Sequence, residues 1–156
     1  MAIREIRLEG DPCLGKACRT VDKFDERLHT LLDDMKDTLV KSQGVGLAAP
    51  QVGILKRVFV IDTPDKGMVE FINPTIVSTE GSYTDVEGCL SLPGKAGMVE
   101  RPMKTTVKAF DRNGNEFEYT GEELYSKCIC HENDHLDGIL YASKVIEWLD
   151  LDDEEE

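Results

Sequence analysis

Cys130-His131-Glu132-Asn133-Asp134-His135-Leu136-Asp137-Gly138 is the stretch on which the reading of this chain turns. Read as helix, it puts residues i and i+4 on one face, so His131 and His135 can aim two imidazoles at one metal ion. Glu132 follows the first histidine directly. It can stand beside such an ion without binding it and move protons for a water there. The chain has three histidines, and the third, His29, lies far away in an amphipathic segment. Taken alone, the stretch reads equally well as an ordinary helix with two half-buried histidines and a solvated glutamate.

Working outward, Thr120-Gly121-Glu122-Glu123 has the form of a capping box, Thr at N-cap and Glu at N3, and predicts where this helix opens. Gly138 fits its C-terminal stop. On that helix Leu124, Cys128, His131 and His135 form one stripe that turns from apolar to metal-binding along its length. Upstream, Lys104 to Phe110 alternates like a strand. Asp111-Arg112-Asn113-Gly114-Asn115 carries the Asn-Gly hairpin signal, and Glu116 to Tyr119 returns antiparallel. Arg57 to Asp62, Val69 to Ile72, Thr75 to Thr79 and Tyr83 to Leu92 read as further strands, with a break at Asn73-Pro74. Phe24, Leu28, Leu31, Leu32, Met35 and Leu39 recur at helical spacing and predict a packing helix, capped by Asp22 or Asp25 and broken by Gly44. Ser143 to Leu149 reads as a last short helix with Trp148 packing back. The order predicts an α+β fold: antiparallel strands around a central metal-binding HExxH helix, with an N-terminal packing helix and a short C-terminal helix. Residues 1–149 read as one domain. Residues 150–156 read as an acidic, flexible tail.

The bulk numbers bound the function. A chain of 156 residues suits one domain with a sizeable core, and a formal net charge of −13 argues against direct contact with nucleic acid. No apolar run approaches the roughly 20 residues of a membrane span. The N-terminus, Met1 to Glu9, is charged throughout and lacks the apolar core of an export signal, so we expect a cytoplasmic protein. Five cysteines without a regular framework suggest reduced thiols.

A catalytic site of this type needs three protein ligands and an open position for water. After His135 the chain continues Leu136-Asp137-Gly138-Ile139, with no third histidine. Asp137, Glu147 and the tail acids are carboxylates without a distinctive setting. Cys89, between Gly88 and Leu90 on a sharp glycine-containing segment, could bring a thiolate. A Cys-His-His set is chemically sound and suits Fe(II), Zn or Co. Gly44 to Gly53 is rich in glycine and small residues, and is either a ligand-approaching loop or a buried crossing loop.

Three separated motifs, in order and spacing, resemble those of the peptide deformylase family. They are Gly44-Val45-Gly46-Leu47-Ala48-Ala49-Pro50-Gln51, then Glu87-Gly88-Cys89-Leu90-Ser91, then His131-Glu132-Asn133-Asp134-His135. The resemblance covers the chain from Asp11-Pro12 to about residue 148. It implies a metal-dependent hydrolase that removes the N-formyl group from the formylmethionine of newly made polypeptides, releasing formate. By carry-over, Cys89, His131 and His135 hold the metal, natively Fe2+ with Zn2+, Ni2+ or Co2+ able to substitute. Glu132 is the acid/base, and Gln51 with the backbone N–H of Leu90 binds the formyl oxygen. Val45 and Gly46 pair with the substrate backbone, and Val45, Leu124, Cys128 and His131 are candidates to line the methionine pocket. The partners implied are N-formylmethionyl nascent chains, with transient ribosome proximity but not through the acidic tail.

Some positions depart from the commonest family pattern. Cys130 stands where many members carry Gln, Lys127 where many carry an apolar pocket residue, and Ala96 where an Arg is frequent, while Arg101 is retained. Two rivals remain at this level. A metallopeptidase would use HExxH but leave Gln51 and Gly88-Cys89-Leu90 without a role. A binding protein with a structural metal would be expected to have lost Glu132 or Gln51, and both are present.

Overall fold

A computed structural model describes residues 2–150. The first long element is α1, Glu26–Ser42, whose N-cap Asp25 accepts the Leu28 amide. Leu28, Leu31, Leu32, Met35 and Leu39 form its buried face. A helix of this length owes its stability mainly to such a face rather than to propensity.

Eight strands follow: β1 Gly46–Ala48, β2 Val58–Thr63, β3 Gly67–Glu80, β4 Tyr83–Cys89, β5 Leu92–Arg101, β6 Lys104–Phe110, β7 Glu116–Glu122 and β8 Val145–Trp148. The second long helix, α2, spans Leu124–Leu136, between β7 and β8. One sheet has the order β1-β2-β3-β6-β7 and the other β4-β5-β8, with every named pairing antiparallel. Strand β2 explains the layering. Its Val58 and Val60 pack with α1, while Phe59 and Ile61 face the opposite way and pack with Tyr125, Cys128 and Ile129 of α2. Successive side chains point to opposite faces, so a strand buried on both sides reads as an unbroken apolar run. The larger sheet therefore lies between the two helices, and α2 reaches the smaller sheet through His131 to Glu87 on β4 and Asp134 to Arg101 on β5. This is the expected α+β arrangement. No helix among the described residues is long and apolar enough to cross a membrane.

Three local expectations are corrected. The capping box at Thr120 does not form. Thr120, Gly121 and Glu122 instead complete β7, paired to Thr106, Thr105 and Lys104. Helix α2 starts at Leu124 after Glu123, which adopts φ 53° and makes no side-chain cap. The long β6–β7 ladder outweighs one local cap, and Gly121 lets α2 pack close against β7: a Cβ there would meet Tyr125 at 2.8 Å. The break at Asn73-Pro74 is a bulge within one continuous strand. Asn73 takes φ 51°, and its side chain accepts the Val21 amide and donates to the Val21 carbonyl, an anchor from outside the sheet.

The C-terminal helix over 143–149 is the third correction. Tyr141–Lys144 makes one 3-10 turn and Val145–Trp148 is strand β8, paired with β5. A β-branched and aromatic run finds an open sheet edge there, and Gly97 opposite leaves room for Val145 and Trp148. Of the acidic tail expected over 150–156, residues 151–156 lie outside the described residues.

Candidate active site

Strands β4 and β5 form a tight hairpin whose turn is Leu90-Ser91, with Cys89 paired to Leu92 across it. The register shifts between Glu87 and Cys89. That places Cys89 at the hairpin tip, facing α2. Helix α2 presents His131 and His135 on one face, with ring centroids 5.0 Å apart. The Cys89 sulfur and one ring nitrogen of each histidine lie within 4.8 Å of one another, and Cys89 Sγ is 3.4 Å from His135 Nε2. Among the described residues these are the ones that form a candidate metal cluster of three donors.

The residues around the cluster hold it in shape. Gln51, on the 3-10 turn Ala49–Val52 that follows β1, accepts the Ala48 amide through Oε1 at 2.9 Å. Its Nε2 donates to Ser91 Oγ at 3.1 Å and lies 3.5 Å from Cys89 Sγ. His131 Nδ1 bonds to Glu87 Oε1 at 2.8 Å. A carboxylate accepts there, which sets the proton on Nδ1 and leaves Nε2 free as a ligand. Glu87 is in turn gripped by Arg101. Burial raises the Glu87 carboxyl, but the Arg101 and His131 bonds overcome it and hold it down at about 2.

Glu132 is 4% exposed, and its Oε1 has no hydrogen-bond partner in the protein. Burial is the main reason its carboxyl is pushed up to about 7, and the Glu87 charge adds to this. Burial would lower the His131 imidazole, yet the Cys89 sulfur and the Glu132 and Glu87 carboxylates raise it overall. The His135 imidazole goes the other way, held well below its ordinary value by burial and by the neighbouring His131, so the two rings differ and His135 is kept neutral. A thiol and two imidazoles, with one unpartnered carboxylate oxygen of Glu132 beside them, fit a divalent metal and a water.

A cleft of about 330 Å³ opens onto this cluster. Val45, Gly46, Gln51, Cys89, Leu90, Leu124, Cys128, His131 and Glu132 all line it, and His135 lies behind, 1% exposed. All ten residues singled out in the sequence are therefore brought together. Cys130 is not on the wall; it is buried against Thr105 Oγ1 at 3.4 Å.

The Polypeptide deformylase family model matches residues 3–149. The chain belongs to the peptide deformylase family. A peptide deformylase of Acetivibrio thermocellus is 54% identical over 99% of this chain and 91% of its own length, and one of Alkaliphilus metalliredigens is 56% identical over 94% and 99%. The crystal structure of a peptide deformylase from Legionella pneumophila superposes with a TM-score of 0.90 at 46% identity, covering 92% of this chain and 86% of that one. A deformylase from Synechococcus elongatus in complex with actinonin gives 0.88 at 37% identity, covering 91% and 78%. The protein is a metal-dependent hydrolase whose reaction removes the N-formyl group from newly made polypeptides, releasing formate.

Sequence reasoning missed the support that Glu87 and Ser91 lend to the deformylase site. Both flank Cys89 in the quoted motif, but neither has a periodicity that would mark it as buried. Arg101 is noticed only as a retained position, because its partners Glu87 and Asp134 are 14 and 33 residues away.

Proposed function

We propose that Cys89, His131 and His135 hold the metal, Fe(II) in the cell with zinc, nickel or cobalt able to substitute. The observation that carries this reading is the meeting of three donor atoms within 4.8 Å beside the unpartnered Glu132 Oε1. When bound, the metal supplies Lewis acidity that makes a water nucleophilic near neutral pH.

The chain's own residues supply the rest. Val45 and Gly46 pair with the substrate backbone as an added strand, at the edge of the larger sheet that β1 forms. Val45, Leu124, Cys128 and His131 receive the methionine side chain. Gln51 Nε2 and the Leu90 N–H donate to the formyl oxygen as negative charge grows on it, each such donor typically contributing about 2.7–4 kcal/mol of barrier lowering. Glu132 takes a proton from the attacking water and delivers it to the leaving nitrogen. The C–N bond breaks, and formate and the free amine depart. Glu87 keeps His131 in the tautomer this requires.

The setting we infer is cytoplasmic, with transient proximity to the ribosome, not through the acidic tail, and with no direct grip on nucleic acid or membrane. A ribosome-pelleting assay in which deletion of residues 150–156 abolished binding would refute the tail clause.

The decisive assay measures formate release from a formyl-Met peptide by protein purified anaerobically with Fe(II), beside Cys89→Ala and Glu132→Gln. Turnover is expected in the wild type only, with metal lost from Cys89→Ala and kept by Glu132→Gln. A metal-loaded wild type without turnover, or a fully active Glu132→Gln, overturns the assignment.

A further inference from the structure

Lys127 lies one helical turn before His131 on α2 and lines the cleft, between the apolar positions Leu124 and Cys128. A charge on that wall needs an outlet. Lys127 Nζ donates to the Val86 carbonyl at 2.8 Å and to Asp85 Oδ2 at 3.2 Å. Asp85 Oδ2 also accepts the Tyr83 hydroxyl at 2.7 Å, and Asp85 Oδ1 accepts the Val86 amide at 2.8 Å. The acceptor is thus fixed before the lysine arrives. The Lys127 side chain is only 12% exposed although its head is an ammonium.

These contacts make Lys127 a strut. Its head is tied to β4, the edge strand of the smaller sheet, and its root is on α2, so its methylenes span the two walls of the cleft. A long charged side chain covers apolar surface well when its head is held outside. An aliphatic residue could line α2 here but could not reach across to bond β4. Val86 lines the same cleft, so the tether also fixes the facing wall.

We propose that Lys127, pinned by Val86 and Asp85, is a specificity-determining residue: its stem bounds the space for the substrate's first side chain, admitting an unbranched chain of methionine length and excluding wider ones. This rests on the reading that the cleft receives that side chain. Truncating the stem opens the wall between α2 and β4. The loss of discrimination this causes is on the scale of one or more methylenes in an apolar pocket, roughly tenfold or more.

The test compares kcat/KM for formyl-Met-Ala-Ser and formyl-Phe-Ala-Ser in the wild type, Lys127→Ala and Asp85→Ala. The ratio of the two substrates on one preparation is independent of metal loading and active fraction. The wild type is expected to favour the methionine peptide. The ratio should fall about tenfold or more in Lys127→Ala and by a smaller factor, about three- to tenfold, in Asp85→Ala, where the Val86 tether survives. A fall below about threefold in Lys127→Ala overturns the proposal. If Lys127→Ala does not fold, the same threshold applied to Asp85→Ala decides. A wild type that does not distinguish the two peptides overturns instead the reading of the cleft as the methionine site.

Discussion

Arg101 forks onto Glu87: Nε donates to Oε2 at 2.8 Å and Nη2 to Oε1 at 3.0 Å, with the two side chains 4% and 2% exposed. The same Glu87 oxygen Oε1 meets His131 Nδ1. The geometry of one candidate ligand is therefore set by an ion pair on the hairpin opposite. Glu87→Gln should weaken metal binding about 10–100-fold, because the amide holds the imidazole less strongly and makes it less basic. Chelator competition at equilibrium measures this. The same variant leaves Arg101 with Asp134 as its one carboxylate partner and should cost about 3 kcal/mol of stability, read from urea unfolding of the metal-free protein.

Gly46 faces Glu132, the proposed general base. A Cβ at this position would stand 2.6 Å from Glu132 Oε2 and 3.0 Å from its Cδ. Gly46→Ala should displace the carboxyl and lower kcat about 100-fold, since small misplacements of a reacting group are costly. Metal content should be unchanged, because the three donors lie elsewhere. Steady-state kinetics with metal analysis on the same sample tests both halves.

The Gln51 amide is held from three sides, by Ala48, Ser91 and Cys89. Its donor is thus fixed before substrate arrives. Gln51→Ala should lower kcat about 10²–10³-fold with little change in KM, as removal of a charge-stabilising donor does. A change confined to KM would show that Gln51 only binds.

Acid should weaken the seam between α1 and β3. Burial raises the Glu70 carboxyl, but the bonds from Arg112 and Lys36 outweigh it and hold it below its ordinary 4.5. A carboxylate with a depressed folded value contributes stability above its unfolded value and loses it as pH falls through the folded one. Glu70→Gln should cost about 1–3 kcal/mol near neutrality. That difference from wild type should shrink steadily as pH drops below about 4.5. Urea unfolding at a series of pH values checks it. A difference independent of pH would mean that the charge is not what holds the seam.

The elements legible in the sequence were those set by neighbours in the chain. Helix α1 showed its apolar spacing and two candidate caps, Asp22 and Asp25, of which Asp25 is the one used. The β6–β7 hairpin showed Asn113-Gly114, where Gly114 takes φ 84°. The i and i+4 spacing put His131 and His135 on one face of α2. Thr120 misled because its local signal was a sound cap, while the residues that overruled it lay 14 or more positions back in β6. Ser143 to Leu149 misled for the same reason: whether that run pairs as strand depends on an open edge of β5.

By itself, then, the sequence determined the α+β class, the principal helices and hairpin, and three motifs whose residues meet at one cleft. These follow from periodicity, turn chemistry and spacing, which act over a few residues or are carried by family resemblance. Only the tertiary structure decided that Glu87 and Arg101 form a buried pair behind His131, that Asn73 bends one strand instead of ending two, and that Lys127 crosses from α2 to β4. Each of these depends on which polar group is opposite once water is excluded. A buried charge must be paired wherever its partner lies in the chain, and that choice is made by packing.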